Sequence, residues 1–232
     1  MIEILHQDAD VVAVVKPPGL AVVPARGESP AACLRHRLEA QLGEGLYVVH
    51  RIDREASGLV LFARHAQAHR ALSMEFEARR ATKRYLAFVA GRLQPEAGSI
   101  DVPLHDARRG KTRPARPGEP GARASLTEYR TLRAWRRAGA LVSLVEAAPR
   151  SGRHHQLRVH LRYAGAPILF DPLYAKGVPA AVLAGAPARR LALHAEALCV
   201  ASPAGGPPLD LHAPLPADLA ELRAWLDFGW SA

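Results

Sequence analysis

Between residues 46 and 64 the chain reads LYVVHRIDREASGLVLFAR, two short apolar runs (46–49 and 59–63) on either side of a charged segment. Each run has the length and the Val, Leu, Phe and Tyr content of a buried strand, and the charged residues between them read as a turn. Ser57 and Gly58 would let the backbone turn tightly before it re-enters the sheet. An acid, Asp53, stands in this turn among His50, Arg51 and Arg54. Short connections between rigid strands are where catalytic groups are often presented. On charge alone the segment reads as a solvated surface turn, and the rest of the chain decides against that.

Residues 10–15 form a continuous apolar run, read as a buried strand closed by Pro17, Pro18 and Gly19. Residues 31–42 read as a short helix. Over 65–80, Ala68, Leu72 and Phe76 recur at four-residue spacing, an amphipathic helix with Arg79 and Arg80 as its basic end. Residues 83–89 alternate Tyr85, Ala87 and Val89 against Leu86 and Phe88, a strand pattern. Residues 125–135 and 140–147 read as a strand pair about a turn at 136–139. Residues 152–164 (GRHHQLRVHLRYA) read as a helix stopped by Gly165 and Pro167, with Leu157, Leu161 and Ala164 inward and His154, Arg158 and Arg162 on another face. A strand over 190–201 and a closing helix over 216–226, with Leu219, Leu222 and Leu226 inward, follow. Strands and helices mix without the regular βαβ alternation of a doubly wound fold. The expected class is α+β, a mixed, mostly antiparallel central sheet flanked by helices, with residues 1–232 forming a single domain.

Residues 105–124 break the pattern: Arg108, Arg109, Lys111, Arg113, Arg116 and Arg123 are interleaved with Gly and Pro and show no apolar period. Such a stretch buries little surface, so a long, mobile basic loop is expected there. The whole chain is basic, with a formal net charge of +9, and of its 31 basic residues only Lys16, Lys83, Lys111 and Lys176 are lysines. The arginine fork grips phosphate bidentately and stacks on bases, which makes nucleic acid the first partner to consider; GC-rich coding would enrich arginine as well. With aromatic residues at 6%, an extended single-strand stacking platform is disfavoured. No apolar run approaches the ~20 residues that cross a bilayer, and the first ten residues lack a secretory pattern. Cys33 and Cys199 have no second Cys at metal spacing and read as small buried hydrophobes. A reducing cytoplasm without membrane attachment is expected.

His154, His155 and His160 invite a metal reading, but 154 and 155 should point to different faces of the expected helix. No HExxH pattern or carboxylate at ligand spacing accompanies them, so no metal site is expected. Ser57 lacks the GxSxG elbow of a nucleophile and is read as a hydroxyl capping its turn. Walker A and GxGxxG loops are missing, so nucleotide cofactors are not indicated. What remains is one acid in a basic neighbourhood. Arginines lower a neighbouring carboxyl's pKa and keep it ionised, which suits a nucleophile or base better than a general acid. A glycosidase would need a second carboxylate, and Glu55, two residues on, is a weak candidate.

HRIDREASGLVLFAR resembles the active-site motif of RluA-type RNA pseudouridine synthases. VVKPPGLAVVP (14–24), KRYLAFVAG (83–91), GRHHQLRVHLRYAGAPIL (152–169) and LALHAEAL (191–198) resemble the family's other signature blocks, in the family's order. By this resemblance Asp53 matches the catalytic aspartate. Tyr85 matches the tyrosine that lies against the target base and acts in the late proton transfer, and Arg158 the arginine that pairs with the aspartate. Arg51 matches the arginine that helps fill the space left by the flipped nucleotide. Three departures stand out: Ala56 where Thr is common, His154 where Thr or Ser is common, and Phe170 where Gly usually precedes Asp171. The last bears on loop geometry, because Gly adopts positive φ where Phe is strained.

The resemblance implies isomerisation of specific uridines in structured RNA, ribosomal or transfer RNA, with the target base flipped out of its stack and no cofactor. Many relatives carry an N-terminal S4-type domain; here the first block begins near Glu3, so none is expected, and the protein should act as a monomer. His50, Arg54, His154, Arg108, Arg109, Lys111 and Arg113 are the expected RNA contacts beside Arg51. A non-catalytic RNA-binding factor of the same fold is the main alternative, and the intact Asp53, Tyr85 and Arg158 set argues against it.

Overall fold

The computed structural model describes residues 1–24, 27–107, 110–137, 139–175, 178 and 184–231, and contacts divide the chain into two units, Met1–Lys83 with His194–Leu215 and Arg84–Leu193 with Pro216–Ala232. In the first unit β1 (Glu3–Gln7), β2 (Val11–Lys16) and β4 (Ser57–Ala63) pair antiparallel in that order. β2 and β4 are buried almost throughout, without polar alternation, because both faces of the sheet are covered. Val12, Val14, Val60 and Phe62 pack with Leu34 and Leu38 of α1 (Leu34–Leu42). Val11, Ala13, Leu59 and Leu61 pack with Ala68 and Leu72 of α2 (Ala66–Glu77). The other edge of β4 is shared by β3 (Tyr47–Val48), antiparallel at its end, and β11 (Leu193–Val200), parallel at its start. β12 (Leu209–His212) continues antiparallel on β11.

Ser57 and Gly58 are therefore not a turn; they open β4. Gly58 has φ +117°, and a Cβ there would lie 2.3 Å from the Ala195 carbonyl oxygen and 2.6 Å from its nitrogen. The glycine is needed for this backbone approach to β11. Ser57 does not cap a turn either: it is buried, with Oγ 3.0 Å from His194 Nδ1. His194 Nε2 in turn donates to the Ala213 carbonyl at 3.1 Å, which leaves Nδ1 to accept from the serine.

The second unit pairs β5 (Thr82–Ala90), β10 (Ala140–Pro149), β9 (Leu126–Arg137) and β6 (Ala97–Asp101) antiparallel in that order. The closing helix, α4 (Ala217–Gly229), buries Leu219, Leu222 and Leu226 as expected, and its Asp227 accepts the Trp135 indole N–H at 2.8 Å. α3 (Gln156–Tyr163) starts four residues later than its sequence pattern suggested. His155 sits in the left-handed region, φ 53°, and breaks the helix there. The turn before it is fixed by Gln156, whose Oε1 accepts from the Ser151 hydroxyl (2.7 Å) and the Arg153 N–H (3.1 Å). α2 likewise ends at Glu77, so Arg79, at φ 58°, and Arg80 follow the helix instead of ending it. The 31–42 segment is a 3-10 turn (Pro30–Ala32) followed by α1.

Residues 105–124 are not a mobile loop where described. β7 (Leu104–Ala107) and β8 (Lys111–Pro114) form an antiparallel hairpin, and Leu104 and Arg123 exchange backbone hydrogen bonds of 2.8 and 2.9 Å. Leu104 and Thr112 are buried, but strands this short give too few inward positions to register as a period. Both sheets' described pairings are antiparallel except β4 with β11, so the fold is α+β with a mixed, mostly antiparallel sheet. Among the described residues no helix is long and apolar enough to cross a membrane.

Candidate active site

Asp53 lies half-buried in residues 49–56, between β3 and β4. This connection is gripped from outside on both sides of the acid. The ring of His50 stacks on Phe76 of α2, centroids 4.9 Å apart, and its Nε2 accepts the Leu61 N–H of β4 at 3.0 Å. Burial, with the Lys83 ammonium adding to it, holds the His50 pKa down to about 3, so the imidazole is neutral and structural. On the other side the Arg54 carbonyl accepts the Gly19 N–H (2.8 Å) and the Lys16 ammonium (2.9 Å), which also donates to Pro17 (2.8 Å). Lys16 is fully buried at the end of β2. The Ala56 N–H closes the turn onto the Asp53 carbonyl at 3.2 Å. Arg51, beside Asp53, is exposed, and among the described residues its side chain makes no ion pair. Arg54 is engaged at the surface by Glu28 at 2.5 Å.

Arg158 projects from α3 into the second unit and is 1% exposed. Its Nε and Nη2 donate to the two oxygens of the buried Asp171 carboxylate, each at 2.8 Å. Asp171 Oδ1 also accepts the Leu173 (2.8 Å) and Tyr174 (3.0 Å) backbone N–H groups, and the Tyr174 ring lies 5.1 Å from the guanidinium carbon. The guanidinium is thus locked in one plane by a fork-to-fork pair. Phe170, just before Asp171, has φ 58°. The position that carries Gly in the resemblance does adopt the left-handed conformation, at a cost of about 1–3 kcal/mol. It is held there because Leu169 N–H bonds the Phe88 carbonyl (2.8 Å) on one side and Asp171 bonds Arg158 on the other. Tyr85, on β5 opposite Ala147 of β10, is largely buried.

The remaining expected RNA contacts divide. His154 precedes α3 and so does not share a helix face with Arg158 and Arg162; its ring stacks on His155, centroids 3.6 Å apart, instead of pointing elsewhere. Its Nδ1 is 3.0 Å from Thr112 Oγ1 of β8, which brings it beside Lys111 and Arg113. Tyr174 completes this cluster, its hydroxyl accepting the Thr112 N–H (2.8 Å) and lying 2.9 Å from His155 Nδ1. Arg113 is bound bidentately by Glu119, whose carboxyl that pairing, with the Arg116 N–H, holds down to about 2. Arg108 and Arg109 lie outside the described residues. Lys16, Asp171 and Tyr174 were missed as positioning residues. VVKPPGL and the Asp171–Tyr174 spacing contained them, but no periodicity marks a buried lysine or a carboxylate thirteen residues from its arginine.

A family model described as RNA pseudouridylate synthase matches residues 10–163, a span that holds Asp53, Tyr85 and Arg158. An uncharacterised RNA pseudouridine synthase of Chloroflexus aurantiacus is 40% identical over 210 residues, covering 88% of this chain and 63% of the relative. The ribosomal large subunit pseudouridine synthase D of Haemophilus ducreyi is 32% identical over 233 residues, covering 95% of this chain and 69% of its own length. Among solved structures, human RNA pseudouridylate synthase domain containing 4 superposes with a TM-score of 0.75 at 28% identity, over 95% of this chain and 93% of that one. The blocks that resembled RluA-type enzymes lie in the matched sequence and in a fold shared with a solved relative: the chain belongs to the RNA pseudouridylate synthase family.

Proposed function

We propose that the protein isomerises specific uridines in structured RNA, ribosomal or transfer RNA, with Asp53 as the catalytic residue and Tyr85 and Arg158 as its partners in the reaction. The observation that carries this reading is the fixed connection 49–56: within the family match, a short charged segment is clamped by His50, Lys16 and Gly19 on either side of the Asp53 carboxylate. Preorganisation of this kind supplies orientation before substrate arrives. The reaction breaks the N1–C1′ bond of the nucleotide, turns the uracil and joins C5 to C1′. The proton leaving C5 is the only atom released to solvent, and one is taken up at N1, so no cofactor or second substrate is required. The uridine must leave its stack to be reached, and unpaired or loop positions make extrusion least costly. The relatives' names support ribosomal RNA as a first substrate class.

The test is mapping of pseudouridine in ribosomal and transfer RNA from cells with and without the protein, paired with tritium release from RNA labelled at uridine C5 by the purified chain. Loss of a defined set of sites, restored by the wild-type chain, is expected. Unchanged maps together with no tritium release sink the reading.

A further inference from the structure

Within the second unit, the β7–β8 hairpin and α3 enclose a groove of about 440 Å³. Val159, Leu173 and Tyr174 form its apolar floor, and the same residues pack with Leu104. Tyr163, the last residue of α3, borders it with 60% of its surface exposed, although it is a large aromatic side chain. Two cations stand on the rim. Lys111 makes no ion pair among the described residues, and Arg162 uses Nη1 on the Tyr174 carbonyl at 2.8 Å while the residue stays exposed. Arg113 also lines the groove, but Glu119 neutralises it, and no carboxylate is among the lining residues. The His154, Thr112 and Tyr174 hydrogen bonds fix the hairpin against the helix, so the groove is preformed.

We propose that this groove binds an unpaired nucleotide of the RNA substrate, distinct from the one that reacts. Its base stacks on Tyr163 over the apolar floor, and its phosphate sits on Lys111 and Arg162. An exposed aromatic ring beside an apolar wall, with two cations and no acid, matches the two halves of a nucleotide; an apolar peptide would leave the cations unanswered. The site rests on the proposed RNA-modifying function and adds a specificity element to it, because a duplex offers no unstacked base to fill it.

Fluorescence anisotropy decides the matter, with a fluorescein-labelled RNA stem-loop carrying a single-stranded loop and a fully paired RNA duplex of equal length as probes. Tyr163→Ala should weaken stem-loop binding about tenfold and leave duplex binding unchanged, while Tyr163→Phe binds as wild type. Lys111→Gln should lower the slope of log K against log salt by about 0.7 on the stem-loop. Thermal unfolding midpoints equal to wild type show that each variant is folded, and Lys111→Gln stands as an independent arm should Tyr163→Ala be unstable. Stem-loop binding by both variants equal to wild type, or equal weakening on both probes, overturns the proposal and leaves the enzymatic reading intact. A wild-type chain that binds neither probe and releases no tritium defeats both.

Discussion

Residues 49–56 and residues 104–124 are both rich in charge, yet they are held in opposite ways. The first is gripped from outside, by Lys16, Gly19, Leu61 and Phe76, and makes little structure of its own. The second grips itself, through the β7–β8 ladder, the Leu104–Arg123 exchange and the Arg113–Glu119 fork, with Thr112 tying it outward to His154 and Tyr174. A connection held by the His50 ring and by its Arg54 carbonyl can present a different side chain for chemistry. A segment that folds on its own arginines has fewer of them to offer a ligand. Charge composition alone therefore overstates what the basic segment offers, since one of its arginines, Arg113, is already neutralised by Glu119.

That contrast can be tested. Asp53→Asn should abolish pseudouridine formation, read by tritium release, with an unchanged unfolding midpoint; activity near wild type would remove the first region's claim to the chemistry. Lys16→Met should cut kcat by about 100-fold, the order seen when positioning slips by an ångström. It should also lower stability by ~1–3 kcal/mol, because the Pro17 and Arg54 carbonyls lose a charged donor, the Arg54 carbonyl keeping only the Gly19 N–H. A fall in stability with kcat intact would make the clamp merely structural.

His50 predicts a pH signature. The unfolded chain binds its proton near pH 6.5, whereas the folded chain excludes it until about 3, so stability is fully present above 6.5 and is lost as pH falls through this window. The loss runs at about 1.4 kcal/mol per pH unit within the window. Urea unfolding of wild type and His50→Gln at several pH values isolates it, since the other titrating groups are common to both. The smallest effect belongs to the second region: Arg113→Gln should leave the salt slope of RNA binding unchanged, because Glu119 already neutralises that charge. A drop of about 0.7–0.9 would show that the arginine leaves its partner for phosphate.

The sheet was legible because both-face burial of β2 and β4 writes itself as unbroken apolar runs, and α4 because Leu219, Leu222 and Leu226 keep one face. The start of α3 was not legible, because the left-handed His155 and the bonds of Gln156 depend on β9 and Ser151 and leave no period in the local sequence. Asp53 could be singled out from its neighbours, but what holds its loop comes from Lys16, 38 positions before Arg54. Periodicity reports which face is buried; it says nothing about a hydrogen bond that spans the unit. The roles of Asp53, Tyr85 and Arg158 came from likeness to a family, not from spacing. The strain at Phe170 was foreseeable only because a glycine was expected there.

Gly58 makes the protein fragile in a way that no catalytic side chain does. Any Cβ at this position meets the Ala195 backbone, so a replacement must part β4 from β11 at the residue after Ser57, where the connection bearing Asp53 joins the sheet. In a saturation mutant library, position 58 should behave like the nucleophile of an enzyme while taking no part in any bond that is made or broken. Genetics alone would map it as an active-site residue; refolding yield and protease sensitivity would reveal it as a keystone of the backbone.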